Sequence, residues 1–322
     1  VKSIRLGETH VSAVGLGFWQ FGSREWGWDP DLGESAARQI VARALDLGVN
    51  FFDTAEIYGS GRSEAILARA LGERRAQAFI ATKVSPTHAR RRRLAEAASA
   101  SLRRLQTNVI DLYQLHWPNR LVPLSQTMAG MNDLRSAGKV RFVGVSNFRL
   151  KAWRGADETL GSPVITNQVH FSLVHQEPLT DLLPFAREQN RVIIAYSPLA
   201  QGLLGGRYGP GSPPSDFRSS QPRFSDAGLK RASPLLEALR ELARGHGATP
   251  AQIALAWLLH VPNVIVIPGA RDIAQLEANA AVAEIGLSEA EWIELQDLGL
   301  KARADPTLRS RARRAAAHLL GW

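Results

Sequence analysis

The stretch Gly48-Val49-Asn50-Phe51-Phe52-Asp53-Thr54-Ala55-Glu56-Ile57-Tyr58-Gly59 is an apolar run that ends in an acid, with a tyrosine a few residues on. Two later runs end the same way: Phe79-Ile80-Ala81-Thr82-Lys83 and Val109-Ile110-Asp111-Leu112-Tyr113-Gln114-Leu115-His116. If these runs are neighbouring parallel strands, Asp53, Tyr58, Lys83 and His116 gather at one end of one sheet. An acid, a phenol, an ammonium and an imidazole together make a proton-transfer site. Taken singly, each has a plainer reading. A lysine or aspartate at a strand end is ordinarily solvated or ion-paired, and a lone histidine ordinarily finds a backbone partner. The conjunction on three adjacent strands is what points to chemistry.

Strand-like apolar runs recur at 14–17, 50–53, 79–83, 110–116, 142–146, 165–169, 192–197 and 264–268. Amphipathic segments with helical spacing lie between most of them, at 35–47, 63–71, 94–105, 124–137, 179–189 and 251–260. In the first, Ala37, Ile40, Val41, Ala44 and Leu45 share one face while Arg38, Gln39, Arg43 and Asp46 face out. Strands followed by helices argue for βαβ units and a parallel sheet. Eight such units predict an α/β fold, a closed (β/α)₈ TIM barrel, with residues 1–322 forming one domain. A hairpin of Ser3–Leu6 and 10–14, turning at Gly7-Glu8, precedes the barrel, and helices from about Leu287 to Trp322 follow it. The interval from Ser197 to Val264 is too long for one crossover, and it holds Gly209-Pro210-Gly211-Ser212-Pro213-Pro214. A mobile loop over the C-terminal mouth, after the seventh strand, fits that composition.

Composition narrows the partners. With 322 residues, 45% of them hydrophobic, the chain can bury a large core. It has no uninterrupted apolar run of the roughly 18 residues that a membrane span needs. The absence of cysteine removes disulfides, thiolate metal sites and cysteine nucleophiles, and with no apolar leader at Val1–Leu6 a cytoplasmic location is expected. The net charge of +9 is concentrated partly in Arg90–Arg93 and in the tail Arg309–Arg314. Both clusters sit in Ala-rich helical sequence without interleaved aromatics, so solvated helix faces explain them more simply than nucleic-acid binding. His170 and His175 are wrongly spaced for one helical face and lack an acidic companion cluster, so no metal is expected. The chain also lacks a GxxxxGK[ST] loop and a nucleophile elbow.

The sequence resembles the aldo-keto reductases over nearly its whole length. The resemblance is carried by Asp53–Glu64 (DTAEIYGSGRSE), Ala81-Thr82-Lys83, Asp111–Trp117 (DLYQLHW) and Gly138–Phe148 (GKVRFVGVSNF). Asn167-Gln168, Tyr196–Leu204 (YSPLAQGLL) and Ile267–Arg271 (IPGAR) follow in order. It implies the family's tetrad at Asp53, Tyr58, Lys83 and His116. Tyr58 is then the general acid/base for reversible hydride transfer between aldehydes or ketones and their alcohols. A free phenol titrates near 10, and a nearby ammonium lowers that value. Lys83 is expected to do this, steadied by Asp53, while His116 orients the carbonyl.

No side chain supplies a hydride, and the resemblance implies a nicotinamide cofactor, for which Arg271 favours NADPH (as NADP⁺ after reaction), with NADH admitted as a second cofactor. Ser146, Asn147 and Gln168 would hold the carboxamide and Tyr196 would stack on the ring. Ser197, Leu199, Gly202 and Leu204 would line the pyrophosphate path, with Gly269, Arg271, Gln275 and Asn279 at the adenosine end. Arg271 suits a 2′-phosphate, because a guanidinium binds phosphate in a bidentate, charge-assisted way. The family's frequent Glu before that Asn is Ala278 here. Gly15-Leu16-Gly17-Phe18-Trp19-Gln20 is a near miss of a dinucleotide fingerprint and reads as a first barrel strand.

Aromatic residues are candidates for the pocket of a small-molecule carbonyl substrate: Trp19, Trp28, Trp117 and Phe148, with Phe18 and Trp26 beside them. A nicotinamide-binding regulatory or sensor protein, resembling the potassium-channel β subunits, is the alternative. Turnover separates the two, because an intact tetrad is common to both. The oligomeric state is left open.

Overall fold

The computed structural model describes residues 2–22 and 30–303. The chain opens with an antiparallel hairpin, β1 (Ser3–Leu6) and β2 (Thr9–Ser12). Eight parallel strands follow: β3 (Leu16–Gly17), β4 (Phe51–Asp53), β5 (Phe79–Val84), β6 (Ile110–Leu115), β7 (Val140–Ser146), β8 (Thr166–His170), β9 (Val192–Tyr196) and β10 (Val264–Val266). Each pairs with the next in chain order. A parallel bridge between Val14 and Val266 joins the two ends of the sheet, with Gly15 N–H donating to Val266 O at 2.8 Å. The expected barrel is therefore present, although its first strand is shorter than the 14–17 run implied.

Helices pack around the sheet: α1 (Pro30–Asp46), α2 (Arg62–Leu71), α3 (Arg91–Arg104), α4 (Leu124–Ser136), α5 (Leu150–Leu160) and α6 (Leu182–Glu188). The series continues with α7 (Asp226–Gly245), α8 (Pro250–Leu259), α9 (Ile273–Ala281) and α10 (Glu289–Ala302). The capping chemistry is legible in the sequence. Thr249 with Gln252 and Ser288 with Glu291 form reciprocal capping boxes on α8 and α10. Trp257 on α8 and Trp292 on α10 stack at 5.5 Å and each donates its indole N–H to the other's carbonyl. That clasp ties α10 to the barrel.

Strand alternation creates two cores. Outward residues such as Ile80, Leu115, Val145 and Ile193 meet the helices. Inward residues such as Phe51, Phe79, Leu112 and Ile265 fill the barrel, where Leu6 and Val11 of the hairpin also pack. The hydrophobic effect closes this lower end, and the inward positions turn polar toward the C-terminal ends of the strands. Asp53, Lys83, Gln114 and Gln168 occupy those positions, all buried.

The interval after β9 departs from the expected loop. It contains the 20-residue helix α7, and the segment before α7 is braced internally. Arg218, only 8% exposed, donates to the Gln201 carbonyl at 2.8 Å and to the Tyr208 hydroxyl at 2.9 Å, and it pairs with Asp216 at 2.7 Å. Helix α5 fills the interval after β7, for which no amphipathic segment is named above. Arg309–Arg314 lies outside the described residues. Among the described residues, no helix is long and apolar enough to cross a membrane, and no group of three or more His, Cys, Asp or Glu could hold a metal.

Candidate active site

Strand register brings the opening acid and lysine together. Asp53 ends β4 beside Ala81, and Lys83 lies two residues further along β5. The period of two keeps Lys83 on the same inward face as Ala81. Its ammonium is fully buried, 2.6 Å from Asp53 Oδ1, and it donates to the Thr54 carbonyl at 2.8 Å. A third contact reaches the Tyr58 hydroxyl at 3.3 Å. The other Asp53 oxygen accepts from Gln168 Nε2 at 2.7 Å. A buried charge must be paired and hydrogen-bonded. Here both carboxylate oxygens and all three ammonium hydrogens have acceptors or donors at hand.

His116 follows β6 and is 4% exposed. Its ring meets Tyr58 edge-on at 5.7 Å and stacks on Trp117 at 4.1 Å. Among the described residues its Nδ1 has no hydrogen-bond partner, and the two rings pack against it. Trp19, 39% exposed, tilts over Tyr58 at 6.3 Å. All four expected tetrad residues therefore meet at one end of the barrel.

The electrostatics refine one expectation. The Tyr58 ring is half-buried, and the protein packed around it pushes the phenol above its ordinary value; Lys83 pulls the other way without overcoming burial, and Asp53 adds to the rise. Lys83 thus acts on the phenol in the expected direction, and burial, which the sequence does not show, outweighs it. Lys83 itself stays an ammonium. Burial alone would pull it down, but Asp53 and Tyr58 together hold it above its ordinary value. Burial pushes the Asp53 carboxyl up, with Lys83 and Gln168 opposing. Burial, and secondarily Lys83, hold His116 well below its ordinary value, so the imidazole is neutral at pH 7.

That depression has a thermodynamic sign. The folded protein binds the His116 proton less well than the unfolded chain, so this contribution is complete above the unfolded value, roughly 6.5. It is lost as pH falls below that value, because the unfolded state takes up the proton first. Thermal melting between neutral and mildly acid pH should show a decline that is shallower in His116→Phe. Parallel curves for the two proteins would contradict it.

The other predicted residues fall into two groups. Ser146 and Asn147 end and follow β7, and Gln168 and Tyr196 lie in β8 and at the end of β9, all around the same mouth. They form a network in which Tyr196 Oη–H donates to Asn147 Oδ1 at 3.0 Å and Asn147 Nδ2 donates to the His116 carbonyl at 3.2 Å. Ser146 Oγ–H donates to the Gln168 carbonyl at 2.9 Å. The Tyr196 ring is backed by His170 at 5.4 Å and remains partly exposed. Ser197, Leu199, Gly202 and Leu204 follow β9, and Leu204 is buried in the outer core. Gly269 and Arg271 follow β10, and Gln275 and Asn279 lie on α9. The Arg271 backbone N–H donates to Gln275 Oε1 at 3.1 Å, and Asn279 Nδ2 donates to the Gly269 carbonyl at 3.3 Å. Gln20 Nε2 donates to the Ala270 carbonyl at 2.9 Å, so the near-miss fingerprint ends in a latch on this turn.

Of the pocket candidates, Trp19 and Trp117 flank the tetrad. Phe148 does not join them; it is 2% exposed in the core outside the sheet, as is Phe18 at 0%. Trp26 and Trp28 lie outside the described residues. Three contributors went unforeseen: the Thr54 carbonyl, Gln168 as a partner of Asp53, and Arg218. The first is a backbone atom and carries no side-chain signal.

A family model described as "Aldo/keto reductase family" matches residues 13–299. An uncharacterized oxidoreductase of Mycobacterium tuberculosis, Rv2298, is 53% identical over 278 residues, covering 86% of each chain. Methylglyoxal reductase YeaE of Escherichia coli is 34% identical over 290 residues, 88% of this chain and 90% of that one. The crystal structure of an aldo-keto reductase from Klebsiella pneumoniae in complex with NADPH matches with a TM-score of 0.77 at 30% identity, covering 94% of this chain and 96% of that one. Agreement of this extent in sequence, barrel and motif order leaves one conclusion: the chain belongs to the aldo/keto reductase family and is a nicotinamide-dependent oxidoreductase.

Proposed function

We propose that the chain, acting as a single domain, reduces aldehydes and ketones with NADPH, and that Asp53, Tyr58, Lys83 and His116 carry the proton chemistry. One observation carries this reading: the buried Lys83 ammonium bridges Asp53 and the Tyr58 hydroxyl at the barrel mouth. When bound, the reduced nicotinamide supplies the hydride to the carbonyl carbon. Tyr58, kept protonated by its raised pKa, gives its proton to the carbonyl oxygen. As the phenolate forms, the Lys83 ammonium is already in place to meet its growing negative charge, so stabilisation grows with the transition state and not before it. Neutral His116 offers a ring N–H to the same oxygen without adding a competing charge. Trp19 and Trp117 give the substrate apolar walls.

The mouth suits the cofactor. Ser146, Asn147 and Gln168 offer amide and hydroxyl groups complementary to a carboxamide, and the partly exposed Tyr196 ring, backed by His170, offers a platform. The segment after β9 would follow the pyrophosphate, through Ser197, Leu199, Gly202 and Leu204. Gly269, Gln275 and Asn279 shape the turn that would take the adenosine.

We assign the 2′-phosphate to Arg271, which is exposed at the start of this turn. Removing one charge-assisted contact of this kind should raise the NADPH KM by about 10- to 100-fold in Arg271→Ala, leaving the NADH KM nearly unchanged. Equal effects on both cofactors would move the 2′-phosphate elsewhere. Turnover of 4-nitrobenzaldehyde or methylglyoxal, followed as NADPH oxidation, tests the activity itself. A single slow turnover with tightly held cofactor would instead favour the regulatory reading.

A further inference from the structure

The residues after Tyr58 are conformationally costly. Gly59, Ser60 and Gly61 all have left-handed backbone, with φ of 55°, 56° and 86°. Such a run persists only where its surroundings over-determine it. Both glycines are pressed against neighbours. A Cβ on Gly59 would lie 2.4 Å from the Gly22 carbonyl, and one on Gly61 would lie 2.5 Å from Arg104 Nε. The turn that presents Tyr58 is thus seated on the Arg104 side chain.

Arg104 is in turn held by a carboxylate that the proposed chemistry does not use. Glu64, in the first turn of α2, is fully buried. One of its oxygens accepts from Arg104 Nε at 2.6 Å, and the other accepts from Thr82 Oγ1 at 2.6 Å. Thr82 precedes Lys83 on β5 and points outward where Lys83 points in. A single buried carboxylate therefore connects the seat of the Tyr58 turn to the strand that carries Lys83. Ser63, its neighbour, accepts from Thr54 Oγ1 at 2.9 Å, next to Asp53.

We infer that Glu64 and Arg104 are positioning residues that set the separation between the Tyr58 hydroxyl and the Lys83 ammonium. This rests on the reading of Tyr58 as proton donor. Its physical content is that phenol acidity depends steeply on distance to the buried Lys83 cation beside it. A turn released from Arg104 lets the hydroxyl drift, and Lys83 then stabilises the phenolate less.

Glu64→Gln keeps the side chain's shape and a Thr82 contact while losing the charge that holds Arg104. It should lower kcat about tenfold or more, since small misplacements of reacting groups are costly. The alkaline limb of the kcat profile, and the Tyr58 tyrosinate titration read by absorbance against Tyr58→Phe, should both move up by about half a pH unit or more. The substrate KM should change little. A Glu64→Gln protein with unmoved profile and titration, whatever its melting temperature or kcat, overturns the inference and leaves Glu64 a structural residue. If Glu64→Gln does not fold, Thr82→Val, which cuts only the link to the Lys83 strand, is judged by the same two readouts. Undiminished turnover in Tyr58→Phe would fail the underlying reading of Tyr58, and is distinguishable because it leaves nothing for Glu64 to position.

Discussion

Tyr58→Phe should reduce kcat for carbonyl reduction by about 10²–10⁴-fold, the range for loss of a positioned general acid, while NADPH affinity changes by no more than a few-fold. The substitution removes one oxygen atom and leaves the ring contacts with Trp19 and His116 available. What is lost is the group 3.3 Å from Lys83. The effect should appear in single-turnover rates, where product release does not intervene. A Phe variant that loses cofactor binding in proportion to rate would place Tyr58 in the cofactor site instead. One with undiminished rate would remove it from the chemistry.

Lys83→Met should damage both stability and activity, and a second substitution should separate them. Asp53 and Lys83 have side-chain exposures of 3% and 0%, so removing the ammonium leaves a buried carboxylate with only neutral amide donors such as Gln168 beside it. Breaking one member of a buried pair typically costs about 3–5 kcal/mol. Neutralising both, as Asp53→Asn with Lys83→Met, removes the uncompensated charge and should recover most of that loss, as measured by denaturant unfolding. Activity should not recover, because nothing then stabilises the phenolate. Recovered activity in the double variant would show that the pair serves only the fold.

Much of the barrel was readable because strands alternate. Phe51 and Asp53, or Phe79, Ala81 and Lys83, lie on one face by period alone, so apolar runs ending in charge announce both the core and the site. The missed pieces have physical reasons. Helix α7 carries Pro234 in its interior and follows a Gly- and Pro-rich segment, which obscure it, although Leu229, Ala232, Leu236, Leu239 and Ala243 recur at helical spacing. Helix α5 does bury Trp153, Ala156 and Leu160 on one face, a spacing that could have found it. Phe148 lies just beyond β7, as a pocket residue would, but its side chain falls on the face that meets the helices. The brace through Arg218 joins residues on either side of the 209–214 stretch, and spacing alone carries no sign of it.

By itself, then, the sequence determined which residue types meet at the mouth of which barrel, since periodicity and strand order suffice for that. Only the tertiary structure decided their energetics. The acidity of Tyr58 is a contest between burial, which raises its pKa, and Lys83, which lowers it. Both terms depend on distances between atoms far apart in the chain. Likewise Gln168 reaches Asp53 across 115 positions, and Glu64 joins α2, α3 and β5 through two hydrogen bonds. Desolvation and Coulomb energy are functions of position in three dimensions, and no local pattern of residues encodes them.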